Sequence, residues 1–185
     1  MNRVCRLLAA AGLACSALAL EAQTPAPSDG DRSPRWSLSG GYGFSVKLSR
    51  GRSEEQMVLV VPAVSFPLSA RLEYTAEGHL AGFFRPSGYM LGWMPVGVRF
   101  FFGSGRAQPY ASLGAGFGWT NLTEQDEIDR RFNYLLQGSL GVRRRLPDGS
   151  AWTLEARMSH ISNAGTVLPN LGLNSLVVLG GWRFR

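Results

Sequence analysis

The stretch Trp36–Leu48, WSLSGGYGFSVKL, alternates between two kinds of side chain. Its even positions are mostly apolar or aromatic, whereas its odd positions are small or polar. Successive side chains of a β-strand point to opposite sides, so a period of two is typical of a strand with one apolar face. The stretch therefore predicts a strand, and the next question is what its apolar face contacts.

The same alternation returns along most of the chain. We predict eight strands, at residues 36–48, 54–66, 69–78, 89–102, 108–119, 132–145, 150–161 and 174–185. Each is long enough to cross a bilayer as a tilted strand. The joints at 67–68, 103–107 and 146–149 are short, and those between them (49–53, 79–88, 120–131 and 162–173) are mostly longer. This alternation is typical of the periplasmic turns and outer loops of a membrane barrel.

Two all-β architectures fit eight such strands. A soluble lipocalin-like barrel or sandwich would turn its polar face outward. Here the polar face is small and rich in glycine, as in the run Gly114–Gly118, and suits a narrow lumen better than a solvated exterior. The aromatic face suits lipid. The sequence therefore predicts an all-β, eight-stranded antiparallel transmembrane β-barrel of the outer membrane, whose interior is filled by side chains and is not a porin channel.

The N-terminal region has the composition of an export signal. Residues 1–22 combine an arginine-containing start with an Ala/Leu-rich run and small residues at cleavage options after Ala19 or Ala22, which predicts a signal peptide. Residues 23–35 are predicted to be a flexible leader and residues 36–185 the barrel domain. Both cysteines, Cys5 and Cys15, fall in the signal, so the mature chain has no disulfide or thiol chemistry.

The chain is basic, with a formal net charge of +6. For an exported protein, an anionic membrane surface is the expected partner and nucleic acid is not. Arg85, Arg130 and Arg131 fall in predicted outer loops, where they are either solvated or meet lipid phosphates. The following charged residues are predicted to form polar or ionic contacts that fill the lumen: Glu73, Arg99, Arg143, Arg145 and Glu155.

The end of the seventh strand carries a polar pair. His160 and Ser162 continue the outward parity of Leu154 and Met158, so both point toward lipid at the extracellular end of the strand. Their Cα atoms lie about 7 Å apart, which lets the imidazole reach the hydroxyl. From the residues alone, the pair is either a polar fringe at headgroup level or a catalytic pair.

The run His160–Gly165, HISNAG, and the run Pro169–Gly172, PNLG, lie at the boundary of the last two strands. In order and spacing they resemble the signature of the PagL-type lipid A 3-O-deacylase (acyloxyacyl hydrolase) family. The resemblance implies a serine esterase, with Ser162 as nucleophile and His160 as general base. It also implies that the substrate is lipid A of lipopolysaccharide in the outer leaflet, from which the 3-O-linked acyl chain is cut.

The resemblance further assigns the residues around the pair. Asn170 corresponds to the family's loop asparagine, a donor to the developing oxyanion, and the backbone near Gly165 is a second candidate. Asn163 is either a third donor or a cap for the turn. No cofactor is implied. A metal site is not expected either, because His79, placed in the predicted loop 79–88, is the only other histidine.

One position departs from the family pattern. Where the best-known members have a glutamate twelve residues after the serine, this chain has Asn174. Asparagine can accept the imidazole N–H and orient the ring, but it supplies no negative charge. Glu155 is predicted to face the lumen, and the acidic residues within 124–129 either reach the site or are solvated. The alternative function is therefore a non-catalytic small outer-membrane barrel with a structural or surface-binding role, and a homodimer is left open.

Overall fold

The computed structural model describes residues 33–46, 55–85, 87–123, 130–166, 168 and 172–185. These residues form eight strands: β1 (Arg35–Ser45), β2 (Gln56–Pro67), β3 (Leu72–Arg85), β4 (Ser87–Phe101), β5 (Ala107–Thr120), β6 (Phe132–Arg145), β7 (Ala151–Ser162) and β8 (Leu173–Arg183). Among the described residues, no helix is long and apolar enough to cross a membrane. The predicted signal peptide and all but the last three residues of the predicted leader lie outside the described ranges.

The strands close into a barrel in sequence order. Every strand is antiparallel to its neighbours, and β1 closes the sheet by pairing with β8, where Leu38 faces Trp182. Closure leaves no unpaired sheet edge, so every strand of the barrel has a hydrogen-bonding neighbour on each side. The prediction of an eight-stranded antiparallel barrel is confirmed.

The prediction of a long joint at 79–88 was wrong. β3 continues to Arg85 and β4 begins at Ser87, so residues 79–85 and 87–88 belong to strands. The two strands stay in register to the tip, where Phe83 pairs with Gly88. The inward alternation of His79, Ala81 and Phe83 continues that of the preceding residues, and the glycines of this region obscured it in the sequence. His79 consequently lies in a strand and not in a loop.

The outer face of the barrel is apolar and aromatic. Large hydrophobic side chains are exposed along every strand, and tryptophans stand near both ends of the barrel. Trp36, Trp152 and Trp182 lie toward the end that carries both termini, whereas Trp93 and Trp119 lie toward the opposite end. Two aromatic zones flanking an apolar band are the outer surface expected of a barrel in a bilayer.

The lumen is filled by a buried ionic network. Arg157 contacts Glu77 at 2.8 Å and Glu155 at 2.6 Å, and Arg143 contacts Glu73 at 2.5 Å. Among the predicted lumen residues, Arg99 approaches Glu155 to 3.8 Å, and Arg145 donates to Gln108 at 2.8 Å. The predicted placement of these charges in the lumen is confirmed.

Four buried residues outside the predicted lumen set extend this network: Glu77, His79, Gln137 and Arg157. His79 is 1% exposed and its ring nitrogens contact Glu77 at 3.3 Å and Gln137 at 3.2 Å. Arg157 donates to the same Gln137 at 2.7 Å. Their inward parity was the signal in the sequence that could have found them, because Glu73, Glu77 and His79 alternate along one strand. Each charged residue of this network thus has an opposite partner, which a low-dielectric interior requires.

Glycine permits a close approach where β4 bulges between Trp93 and Val96. A Cβ at Gly116 would collide with the backbone of Trp93 and Met94. The glycines of β5 therefore make room for the neighbouring strand at a bulge.

Candidate active site on the outer face

The predicted polar pair lies at the end of β7 that faces away from the chain termini. His160 and Ser162 are both half-buried, while Ser159 and Ile161, between and beside them, are buried in the lumen. The pair thus shares the outward face with Met158, as the alternation predicted. Burial on one flank and exposure on the other leaves both side chains accessible from the surface of the barrel.

Asn174 lies beside His160 on the adjacent strand. The two residues are direct cross-strand partners in the β7–β8 ladder. His160 Nδ1 and Asn174 Oδ1 are 2.8 Å apart, the distance of a good hydrogen bond. Because a carbonyl oxygen can only accept, the Nδ1–H donates and Nε2 is left as the basic nitrogen. This arrangement orients the ring and fixes the tautomer that a general base needs.

The turn after Ser162 is held by Asn163. The Asn163 side chain is buried, and its Oδ1 accepts a hydrogen bond from the Gly165 amide at 2.8 Å. The Asn163 backbone carbonyl accepts a hydrogen bond from the Thr166 amide at 3.2 Å. Ala164 and Gly165 have positive φ values of 56° and 76°. Positive φ at both central residues, with a hydrogen bond from the fourth residue to the first, is the pattern of a type I′ turn.

This turn bears on the predicted oxyanion donors. Of the two readings for Asn163, the structure shows the capping contact. The Gly165 amide is directed at Asn163 Oδ1, so in this arrangement it is not directed at a substrate. Asn170 lies outside the described residues, as do the loop acids at 124–129. The oxyanion role of these residues stays a prediction.

The predicted loop arginines are exposed. Arg85 ends β3, and Arg130 and Arg131 precede β6 at the same end of the barrel as the polar pair. Their contact with phosphates stays a prediction. Within the described part of the chain, no group of three or more His, Cys, Asp or Glu side chains is placed to hold a metal ion.

A groove with a volume of about 670 Å³ begins at His160 and Asn174 on the outer surface. It crosses toward β4 along the ladder positions His160, Leu136, Ala115 and Val96. Three strand spacings give a length of about 14 Å. Its walls are the apolar side chains of Val96, Val98, Leu113, Leu136 and Met158.

The floor of the groove is backbone and small side chains. Gly138 faces outward between Leu136 and Leu140. The other outward residues of β6, up to Val142, are large. Ala115 lies diagonally beside Gly138 on β5. An apolar trough of this size suits a small apolar ligand. The groove was not predicted, although a glycine at an outward position was a visible signal in the sequence. Its depth depends on the registers of several strands, which only the fold sets.

Fold and site together define a class: an outer-membrane-type eight-stranded β-barrel with a histidine–asparagine pair and a serine on its outer surface. The sequence model of the lipid A 3-O-deacylase (PagL) family matches residues 19–183 of the chain. The chain belongs to this family. No curated protein matches its sequence.

Solved structures with a similar fold include two outer-membrane barrels. The crystal structure of the outer membrane enzyme PagL matches with a TM-score of 0.59 and 16% identity, over 80% of this chain and 98% of that chain. The crystal structure of Neisserial surface protein A (NspA) matches with a TM-score of 0.59 and 10% identity, over 81% of this chain and 94% of that chain. At such identities the likeness shows the outer-membrane barrel fold, and chemistry has to be argued from the site.

Proposed function

We propose that this protein is an outer-membrane serine esterase that removes the 3-O-linked acyl chain from lipid A. The observation that carries the proposal is the hydrogen bond of 2.8 Å between His160 and Asn174 on the lipid-facing surface. A polar pair is costly on such a surface unless it has a function. Family membership supplies the substrate class.

In the proposed reaction, His160 and Ser162 act on the ester in turn. His160 Nε2 takes the proton of the Ser162 hydroxyl as the oxygen attacks the ester carbonyl, because an un-ionised serine is a weak nucleophile. The tetrahedral intermediate then collapses, and the protonated imidazole returns the proton to the departing 3-oxygen of the sugar. Water, activated by the same base, hydrolyses the acyl-enzyme and releases a free 3-hydroxy fatty acid.

Asn174 supports the first part of this cycle better than the second. Its carbonyl oxygen accepts the Nδ1–H and so holds the ring with Nε2 available. As the imidazole becomes positive, a neutral amide stabilises it less than a carboxylate would. We therefore infer a working but slow enzyme, with Asn174 orienting the ring.

The groove supplies a place for the chain that is cut. It begins at His160 and is apolar along its length, so an acyl chain lying in it keeps its hydrocarbon among apolar side chains. The ester at the head of such a chain is then beside the histidine. In this proposal the bilayer delivers the substrate sideways, from the outer leaflet, and no soluble pocket is needed.

The proposal also places the protein in the outer membrane, exported by a signal peptide within residues 1–22. The apolar outer face with its two aromatic zones supports membrane residence. Lipopolysaccharide is the partner, with Arg85, Arg130 and Arg131 available to its phosphates. The proposal requires no second copy of the chain, because His160 and Ser162 lie on the same strand of one barrel.

The second candidate is a non-catalytic barrel with a structural or surface-binding role. Asn174 favours it, since the family's acidic residue is absent from the position hydrogen-bonded to His160. The retained His160–Gly165 run opposes it.

Mass spectrometry of lipid A from cells that express the chain tests the proposal. We expect loss of one 3-hydroxyacyl group with the natural chain and no loss with Ser162→Ala, which removes only the nucleophile. An Asn174→Glu version shows whether the rest of the site deacylates lipid A once His160 has an acidic partner. Unchanged lipid A in all three, with each barrel folded in the outer membrane, would support the non-catalytic role.

A further inference from the structure

Gly172 lies against the His160 imidazole at Cε1, the ring carbon between the two nitrogens. It lies directly before β8, it is buried, and its φ is +71°. A Cβ built on it would stand 2.6 Å from His160 Cε1 and 3.3 Å from Nε2. The first distance is closer than real Cβ atoms approach other atoms, so only glycine fits against this edge of the ring.

We propose that Gly172 is a positioning residue for His160, an inference that rests on the proposed function. Asn174 holds the ring at Nδ1, and the backbone of Gly172 bounds it at Cε1. Gly172 and Asn174, two residues apart in one segment, therefore contact neighbouring atoms on one edge of the imidazole and together limit its rotation. With an uncharged partner at Asn174, steric confinement makes a larger contribution to holding the base than it would beside a carboxylate.

Gly172 has a second effect, on access to the base. The space that a Cβ would fill lies beside Nε2, the nitrogen that takes the serine proton. A methyl group there would push the ring away and crowd the approach of the Ser162 hydroxyl or the substrate oxygen. A misplacement of about 1 Å in a reacting group can cost about 100-fold in rate.

Backbone strain alone would not distinguish this proposal, because alanine is unfavourable at any positive φ. Gly149 is a matched control: its φ is +87°, and its Cβ would meet only Arg185 Cγ at an ordinary 3.6 Å. It lies in the turn before β7, at the far end of the barrel. Gly172→Asn is a second test variant, since asparagine tolerates positive φ but still carries a Cβ.

The experiment measures kcat and KM for lipid A deacylation by the natural chain, Gly172→Ala, Gly172→Asn and Gly149→Ala. It also records the Cε1–H resonances of the two histidine rings, of which His79, in the lumen, is an internal reference. We expect kcat to fall about 100-fold in both Gly172 variants with KM little changed. Only the His160 resonance should shift, and Gly149→Ala should match the natural chain.

Two outcomes would overturn the positioning role of Gly172, and a third would separate it from the proposed function. Gly172 variants that keep the natural kcat within twofold, or that leave the His160 resonance in place, would refute the positioning role. An equal loss in Gly149→Ala would assign the effect to strain. If the natural chain itself is inactive, the proposed function fails, and the ring resonances still decide whether Gly172 sets the position of His160.

Discussion

His160 and Asn174 form a hydrogen bond of 2.8 Å across the β7–β8 ladder, on the face of the barrel that meets lipid. The bond fixes the ring of a candidate base with a neutral partner. It separates two properties that an acidic partner combines, which are orientation of the imidazole and stabilisation of its charge. The first prediction uses this separation.

Replacing Asn174 by aspartate should raise activity. Asp has the size of Asn, so the contact of 2.8 Å is kept while a negative charge is placed beside Nδ1. We expect kcat to rise by about tenfold or more, because the imidazolium of the transition state gains a carboxylate partner. The measurement is the rate of hydroxy fatty acid release. Asn174→Ala, which loses both orientation and charge, should be slower than the natural chain, and a faster alanine variant would contradict the orienting role.

Filling the groove floor should block the acyl chain. In Gly138→Leu, the new side chain stands opposite Leu113 and next to Leu136, inside the groove that begins at His160. We expect kcat/KM to fall about tenfold or more. Gly180→Leu is the control, since Gly180 also faces outward, lies outside the groove and has nothing within 4 Å of its would-be Cβ. Equal losses in the two variants would mean that the groove does not hold the chain.

Relaxing the turn after the serine should stabilise the protein. Ala164 is the only non-glycine residue with a positive φ among the described residues, at 56°. Ala164→Gly removes a left-handed penalty of about 1 kcal/mol, which urea unfolding in lipid vesicles would detect. Ala156→Gly, in the middle of β7, should instead lower stability by about 0.5–1 kcal/mol. A stability loss in Ala164→Gly would show that the alanine makes a compensating contact.

Removing the central lumen arginine should destabilise the barrel. Arg157 is paired with both Glu77 and Glu155 and is 3% exposed. Arg157→Met removes the positive charge that pairs with two buried carboxylates. We expect the free energy of unfolding to fall by about 3–5 kcal/mol. Arg106→Met, at an exposed turn, should change it by no more than about 0.5 kcal/mol. A similar small change in both would indicate that the lumen network contributes little.

The fold was predictable because it depends on a local pattern. Alternation along each strand sets which side chains face lipid and which face the lumen, and it does so without knowledge of the neighbouring strands. For the same reason the outward placement of His160 and Ser162 was predictable. The pattern failed at His79, where glycines on both faces of the β3–β4 hairpin weakened the contrast between apolar and polar positions.

The tertiary structure decided everything that depends on register between strands. The sequence alone determined an eight-stranded barrel, the parity of most side chains outside the β3–β4 hairpin and the family motif. It suggested that Asn174 could reach His160, and only the β7–β8 ladder shows the two as direct partners. The groove over Gly138 and the closeness of Gly172 to the imidazole were not predicted, because each joins residues from separate strands or turns. Such contacts arise from the register between paired strands, which the period within one strand does not encode.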